Sequence, residues 1–472
     1  MTLAIDPPSS GQPGAVAAPS VDVRQATTVA QPDIFERMLV VLTAFLFIHR
    51  TPDVWFRSRA ELLADGSNPL LVVLMLGLSA IAFARIAGSI DYLINMFRLE
   101  PFLYLFVALT IGSFFWSASP IDTAKQGLIF VAVTLFGSYL VMRFALEETI
   151  KLLAFMFMIS AIVNLAFVVA LPGLGVDPGG NWTGVFAQKN ALGFISALSV
   201  QGLFIAGLAN RNWRWIFWSF ALLHLGLLWF SQSKTMLVAG VGPICMMAVY
   251  QAFRSRRTLR GAAMTAMAGA SVFTVAFATA NIALLAQWLD KDVSLTGRVP
   301  MWGALIPVAE QRPLFGHGYA ATFGGFFSPI HEVWIVAGWQ PAHAHNALLQ
   351  IWLEIGVFGV LLFLLFYFRA VSRAISILGI VPGAIGMWPL VFLTTALLVS
   401  ITEAGMQVNP LGWMMMVVAV LTVSMHLKYR SELGLSNDLK VVQAERRAEK
   451  ITQQHAAIPD GRQFPDPSRF NV

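Results

Sequence analysis

The stretch HAHNALLQIWLEIGVFGVLLFLLFYF, residues 343–368, decides the fold. From Ala347 to Phe368 it carries one acid, Glu354, and no cation. Runs of roughly 17 to 23 apolar residues are what an α-helix needs to cross hydrocarbon. Lipid offers no partner for backbone polar groups, so a helix is the natural way to bury such a run. Similar runs recur along the chain, about twelve in all, centred near residues 42, 77, 109, 137, 161, 200, 222, 244, 272, 358, 392 and 418. The chain is 57% hydrophobic and 12% charged, which excludes a soluble domain of 472 residues. Its mean hydropathy of +0.70 agrees. The expectation is an all-α integral membrane protein of about 12 transmembrane helices, with one large loop between spans nine and ten.

Lys and Arg in short loops set the orientation. With the N-terminus cytoplasmic, the inner loops hold twelve cations and the outer side nine, the run Arg254, Arg256, Arg257 and Arg260 being the strongest signal. An even number of spans places both termini inside. Residues 1–33 and 429–472 read as polar cytoplasmic tails around a membrane domain at 34–428. The net charge of +6 reflects this bias rather than nucleic-acid binding. One cysteine, Cys245, excludes a disulfide framework and a cysteine metal site. The first 30 residues lack the apolar core of a cleavable signal.

The loop, residues 283–344, is unusually long, and such loops are mostly functional. It contains Thr296-Gly297-Arg298 and Pro313-Leu314-Phe315-Gly316-His317-Gly318, and it ends in His343-Ala344-His345-Asn346. Within it, Val299 to Gln311 reads as an interfacial helix, with Trp302, Leu305, Ile306 and Ala309 facing the bilayer. Pro307 is expected to kink it. Arg298, at its start, is either a solvated arginine or a guanidinium fork for a phosphate.

Asn346, Gln350 and Glu354 recur at four-residue spacing, which puts them on one face of span ten. A polar stripe in a membrane helix is costly unless it faces a cavity or other helices. His345 joins this group as a functional candidate, and His343 is the weaker histidine. The two histidines lack a third convergent ligand, so no metal site is expected. Lys234, in the turn Ser231-Gln232-Ser233-Lys234-Thr235, and Gln188, Lys189 and Asn190, at the start of span six, offer further donors on the outer side. His224 reads as buried packing, and Met414 to Met416 as core.

Together these segments resemble the O-antigen ligase and Wzy-type polysaccharide polymerase superfamily, most closely its ExoQ-like exopolysaccharide branch. The matching pieces are Trp182 to Gly193, Ser231 to Thr235, Thr296-Gly297-Arg298 with Trp302, Pro313 to Tyr319, and His345-Asn346 followed by Gln350, Glu354, Gly356 and Gly359. The resemblance implies a GT-C-like glycosyltransferase of the bacterial inner membrane with a periplasmic loop. Its donor would be an undecaprenyl-diphosphate-linked glycan, used without metal or other cofactor. A flippase and a chain-length regulator are the implied partners, besides membrane lipids. In the ligase branch two outer arginines and a loop histidine are functional. Arg298 matches one arginine and His345 the histidine, while Lys234 stands in place of the other arginine.

The catalytic candidates are therefore His345, Arg298 and Lys234. The substrate-binding candidates are Lys189, Asn190, Gln188, Asn346, Gln350, Glu354 and Trp302. Three activities are in view: a polymerase of lipid-linked repeat units, a ligase passing finished glycan to lipid A-core or protein, and a lipid-linked oligosaccharide transporter. A transporter would place its charges at mid-bilayer depth, whereas these cations gather at the outer rim.

Overall fold

Apolar runs fold here as helices. The computed structural model describes residues 32–49, 69–85, 90–252, 298–323, 330, 333–335, 341–378, 381 and 383–432. Among them are only two isolated β-bridges and no strand. The helices are α1 (Ile34–His49), α2 (Pro69–Ala84), α3 (Ile90–Leu99), α4 (Pro101–Gly112), α5 (Pro120–Arg143), α6 (Leu146–Ala170), α7 (Lys189–Ala209), α8 (Arg214–Phe230) and α9 (Lys234–Ala252). After the gap come α10 (Arg298–Gln311), α11 (Ala347–Ile377), α12 (Trp388–Thr402) and α13 (Pro410–Glu432). Six are long and apolar enough to span a bilayer, or seven if the bent pair α3–α4 counts as one. The chain is a multi-pass membrane protein.

Eleven of the twelve expected span centres fall inside a helix. The centre near 272 lies outside the described residues, as do Arg254 to Arg260, Thr296, Gly297 and nearly all of both tails.

The core forms around α13, whose residues from Leu411 to Leu421 are almost all buried. Met414, Met415 and Met416 are part of it, as expected. Trp413 stacks on Phe130 of α5 at 4.4 Å between ring centroids. His224 is buried, its Nε2 2.9 Å from the Phe157 carbonyl and its Nδ1 3.4 Å from Ser196 Oγ. At the α3–α4 junction Pro101 forces a break of 101°, because the residue before proline is pushed out of the helical region. Arg369 and Arg373 of α11 donate to the freed Leu99 carbonyl, and Arg373 pairs with the buried Glu100.

α11 is also interrupted, at Gly356, whose φ of 72° lies in the left-handed region. Backbone groups freed by that break cannot stay unpaired in a buried setting. The Pro313–Gly318 segment supplies the partners. The His317 and Gly318 N–H groups donate to the Leu353 and Glu354 carbonyls at 2.8 Å each. In return, Val357 N–H donates to the Pro313 carbonyl at 2.9 Å. A Cβ on Gly356 would collide with the Leu314 carbonyl, and one on Gly316 with the Glu354 backbone. His317 is buried, its Nε2 2.9 Å from the Val308 carbonyl. This motif is scaffold: it plugs the loop into a broken membrane helix.

α10 corrects the interfacial reading. Met301, Leu305, Val308 and Ala309 are buried in a small second core with Ile330, Val333, Ala344 and Leu353. Ile306 is 41% exposed and stays outside this core, so the correction applies to Leu305 and Ala309. Trp302 packs partly buried against this core, and its Nε1 donates to the Ala344 carbonyl at 2.7 Å. The apolar stripe was real, but it packs onto α11 and its preceding loop. Pro307 lies within an unbroken α10.

Replacing Gly356 with alanine should destabilise the protein by about 2 kcal/mol or more, combining left-handed strain with a clash. The unfolding midpoint of purified Gly356→Ala in detergent tests this. An unchanged midpoint would mean that the loop does not depend on the break.

Candidate active site

The site assembles on a residue the sequence reading did not select. Glu403 sits just past the end of α12 and is the only acid between Glu354 and Glu432. Its Oε1 accepts from Arg298 Nη2 at 3.1 Å and from Asn190 Nδ2 at 3.2 Å. Its Oε2 lies 3.0 Å from His345 Nδ1. A carboxylate can only accept, so His345 Nδ1 carries the proton it donates to Glu403. Burial works to raise the Glu403 carboxyl. The His345 hydrogen bond and the His345, Arg298 and His343 charges outweigh it, holding the group below the usual carboxylate range.

His345 is itself constrained. Its φ is 49°, left-handed for a residue with a side chain. The preceding residue is clamped on both sides, because Ala344 N–H donates to Gln350 Oε1 at 2.7 Å while its carbonyl accepts from the Trp302 indole. Gln350 in turn donates to Glu354 at 2.8 Å, and Glu354 also accepts from Ala320 N–H at 3.1 Å. Asn346 caps α11, its Oδ1 accepting from Leu349 N–H at 3.0 Å. The polar stripe on α11 is thus a relay that holds the loop, with its far end at Glu354. His343 Nδ1 accepts from the His345 N–H at 3.3 Å, and the two rings lie 4.0 Å apart.

The fold therefore joins Arg298, His345 and Asn190, and it places Trp302, Asn346, Gln350 and Glu354 in support behind them. Lys234 is exposed at the first turn of α9 and takes no part in the hydrogen bonds around Glu403. Its turn is close by, since a Cβ on Gly193 would come within 2.8 Å of Ser233 Cβ, three residues along α7 from Asn190. Gln188 is exposed, and Lys189 is near enough to Asp177 to favour its charged form.

The expectation that the two histidines lack a third convergent group is overturned. Donor atoms of His343, His345 and Glu403 lie within 4.8 Å of one another. Those donors are already engaged, however. Glu403 is paired with Arg298, and a metal on His343 Nδ1 would displace the His345 N–H. A lone acid closing an apolar span at the cation-rich rim was the available signal for Glu403.

Known proteins bear on this geometry. The family model described as O-antigen ligase, Wzy_C, matches residues 221–364. The exopolysaccharide production protein ExoQ of Rhizobium meliloti (strain 1021) is 27% identical over 340 residues, covering 65% of this chain and 76% of the relative. The resemblance to the O-antigen ligase and Wzy-type superfamily, on its ExoQ-like side, holds. The O-antigen ligase match takes in Lys234, Arg298, Trp302, His345 and the stripe to Glu354, and stops short of Glu403.

Acidification should loosen this region. His343 is taken down to about 4, first by burial, then by the His345 charge, with Glu403 opposing and Arg298 adding. Burial also lowers His317. Unfolded histidines take up protons near about pH 6.5, while these two do not in the fold. The unfolded chain thus binds more protons, and stability falls as pH drops from about 6.5 towards 4. Unfolding midpoints measured across that window should decline, and less steeply in His343→Asn. An equal slope in that variant would remove His343 as a source.

Proposed function

We propose that the protein is a polymerase joining undecaprenyl-diphosphate-linked oligosaccharide repeat units at the periplasmic face of the bacterial inner membrane. The carrying observation is one carboxylate, Glu403, holding a guanidinium and an imidazole side by side at the mouth of α11. Glycosyl transfer from a diphosphate needs those two functions. An acceptor hydroxyl attacks the anomeric carbon, and the bond from that carbon to the diphosphate oxygen breaks. The leaving diphosphate keeps the electron pair and is stabilised by Arg298 and Lys234. The hydroxyl proton passes to His345 Nε2, and Glu403 steadies the imidazolium through Nδ1. Asn190 orients Glu403, and Gln188, Lys189 and Asn346 line the glycan path.

Donor binding also changes partners. A diphosphate drawing Arg298 away leaves Glu403 to His345 and Asn190, so the carboxylate's ionic partner becomes the imidazolium as it forms. The reading includes twelve spans, both termini cytoplasmic, a periplasmic loop at 283–344 and chemistry without a metal. A flippase and a chain-length regulator would act beside it.

A ligase is the second reading, favoured by the O-antigen ligase match over the candidate residues. Glycans from a deletion strain separate the two. Single lipid-linked repeats without long polymer support a polymerase; long lipid-linked chains stranded from their acceptor support a ligase. In reconstituted protein, His345→Ala and Arg298→Ala should each lower the rate by at least about a hundredfold, and Glu403→Gln by less. Chelator should leave the rate unchanged. Full activity of His345→Ala, or loss on chelation, would overturn the corresponding assignment.

A further inference from the structure

Head-to-tail joining, on the reading just given, consumes two lipid-linked glycans at once, and the Arg298 site grips one diphosphate. A second cation stands apart from it. Arg312, after the end of α10, borders an open cavity of about 670 Å³ lined by Trp116, Arg312, Pro313, Leu314, Phe315 and Gly316. That is within the usual range for small-molecule sites. Arg312 Nη1 donates to the Trp116 carbonyl at 3.0 Å, and Trp116 Nε1 donates to the Phe315 carbonyl at 2.9 Å. The wall is therefore built, with its aromatic rings 5.4 Å apart. Among the described residues no carboxylate pairs with Arg312, in contrast to Arg298. Phe115, next in sequence to Trp116 of the wall, is 86% exposed. A cation above an apolar, aromatic wall next to membrane helices is complementary to an anionic headgroup on a hydrocarbon chain.

We propose that this cavity seats the polyprenyl diphosphate of the acceptor glycan, Arg312 holding the diphosphate while Trp116, Leu314 and Phe315 hold the first isoprene units. Its position suits that role. The cavity wall meets α11 at Val357, through the Pro313 carbonyl, whereas the reacting site lies at Asn346. Those points are separated by a rise on the order of 15 Å along the helix. An acceptor reacts through a hydroxyl at the end of its glycan farthest from its lipid. Its anchor must therefore stand a glycan's length from the reacting carbon, and this separation fits an oligosaccharide. In the transfer, that hydroxyl replaces the donor's diphosphate on the anomeric carbon, the proton goes to His345, and the acceptor's own diphosphate at Arg312 stays bonded.

The test is native mass spectrometry of the full-length protein with farnesyl diphosphate as probe. Wild type should bind two molecules, and Arg312→Ala and Arg298→Ala one each. Arg312→Gln should do the same if alanine folds poorly. Phe315→Ala should weaken the Arg312 site at least tenfold for farnesyl diphosphate and leave inorganic diphosphate unaffected. Two molecules on both Arg312 variants would overturn the proposal. So would equal affinity for inorganic diphosphate, which marks a free-anion site, or equal displacement by phosphatidylglycerol, which marks general lipid. If Arg298→Ala keeps two molecules while Arg312→Ala keeps one, the reading of Arg298 fails and that of Arg312 stands.

Discussion

The break in α11 at Gly356 is the constraint on which the rest depends. A membrane helix cannot leave backbone groups unpaired, and here the missing turn is completed by a segment more than thirty residues upstream in sequence. That exchange fixes Pro313–Gly318 against α11. The same segment and the residue after it reach the α4–α5 connection and α5, through Ala118 N–H to the His317 carbonyl at 2.7 Å and Thr123 Oγ1 to the Tyr319 carbonyl at 2.7 Å. A polar loop is thereby seated on the helices by its main chain.

From that seat the order propagates to the chemistry. Glu354, beside the break, holds Ala320 and Gln350; Gln350 holds Ala344; Ala344 sets the strained backbone of His345. Strain of this kind persists only where surroundings over-determine it, and it clusters at functional sites. α12 delivers Glu403 from the other side, so the imidazole is fixed by its backbone and by its ring at once. Two independent restraints on one side chain are what preorganised catalysis asks of a scaffold.

Much of this was legible in the sequence for plain physical reasons. Long charge-poor runs such as 347–368 can only be helices in lipid, and helices appear there. The spacing of Asn346, Gln350 and Glu354 correctly predicted a shared polar face, though its purpose is to hold a loop. Glu403 escaped because its partners lie 58 and 105 residues away and no periodicity links them. The stripe on α10 was misassigned because burial against protein and burial against lipid demand the same apolar pattern. The Pro313–Gly318 segment stood out only as part of the loop and of the resemblance, and its glycines are there for close approach and positive φ.

On the loop's own side, the attachment to α11 runs through peptide groups, which meet both the backbone and the polar side chains of that helix. Every residue type except proline carries the same amide, so outside the close approaches at Gly316 and Gly318 the attachment puts little demand on which amino acids the loop displays. Exposed positions of the loop can therefore change while His345 keeps its place.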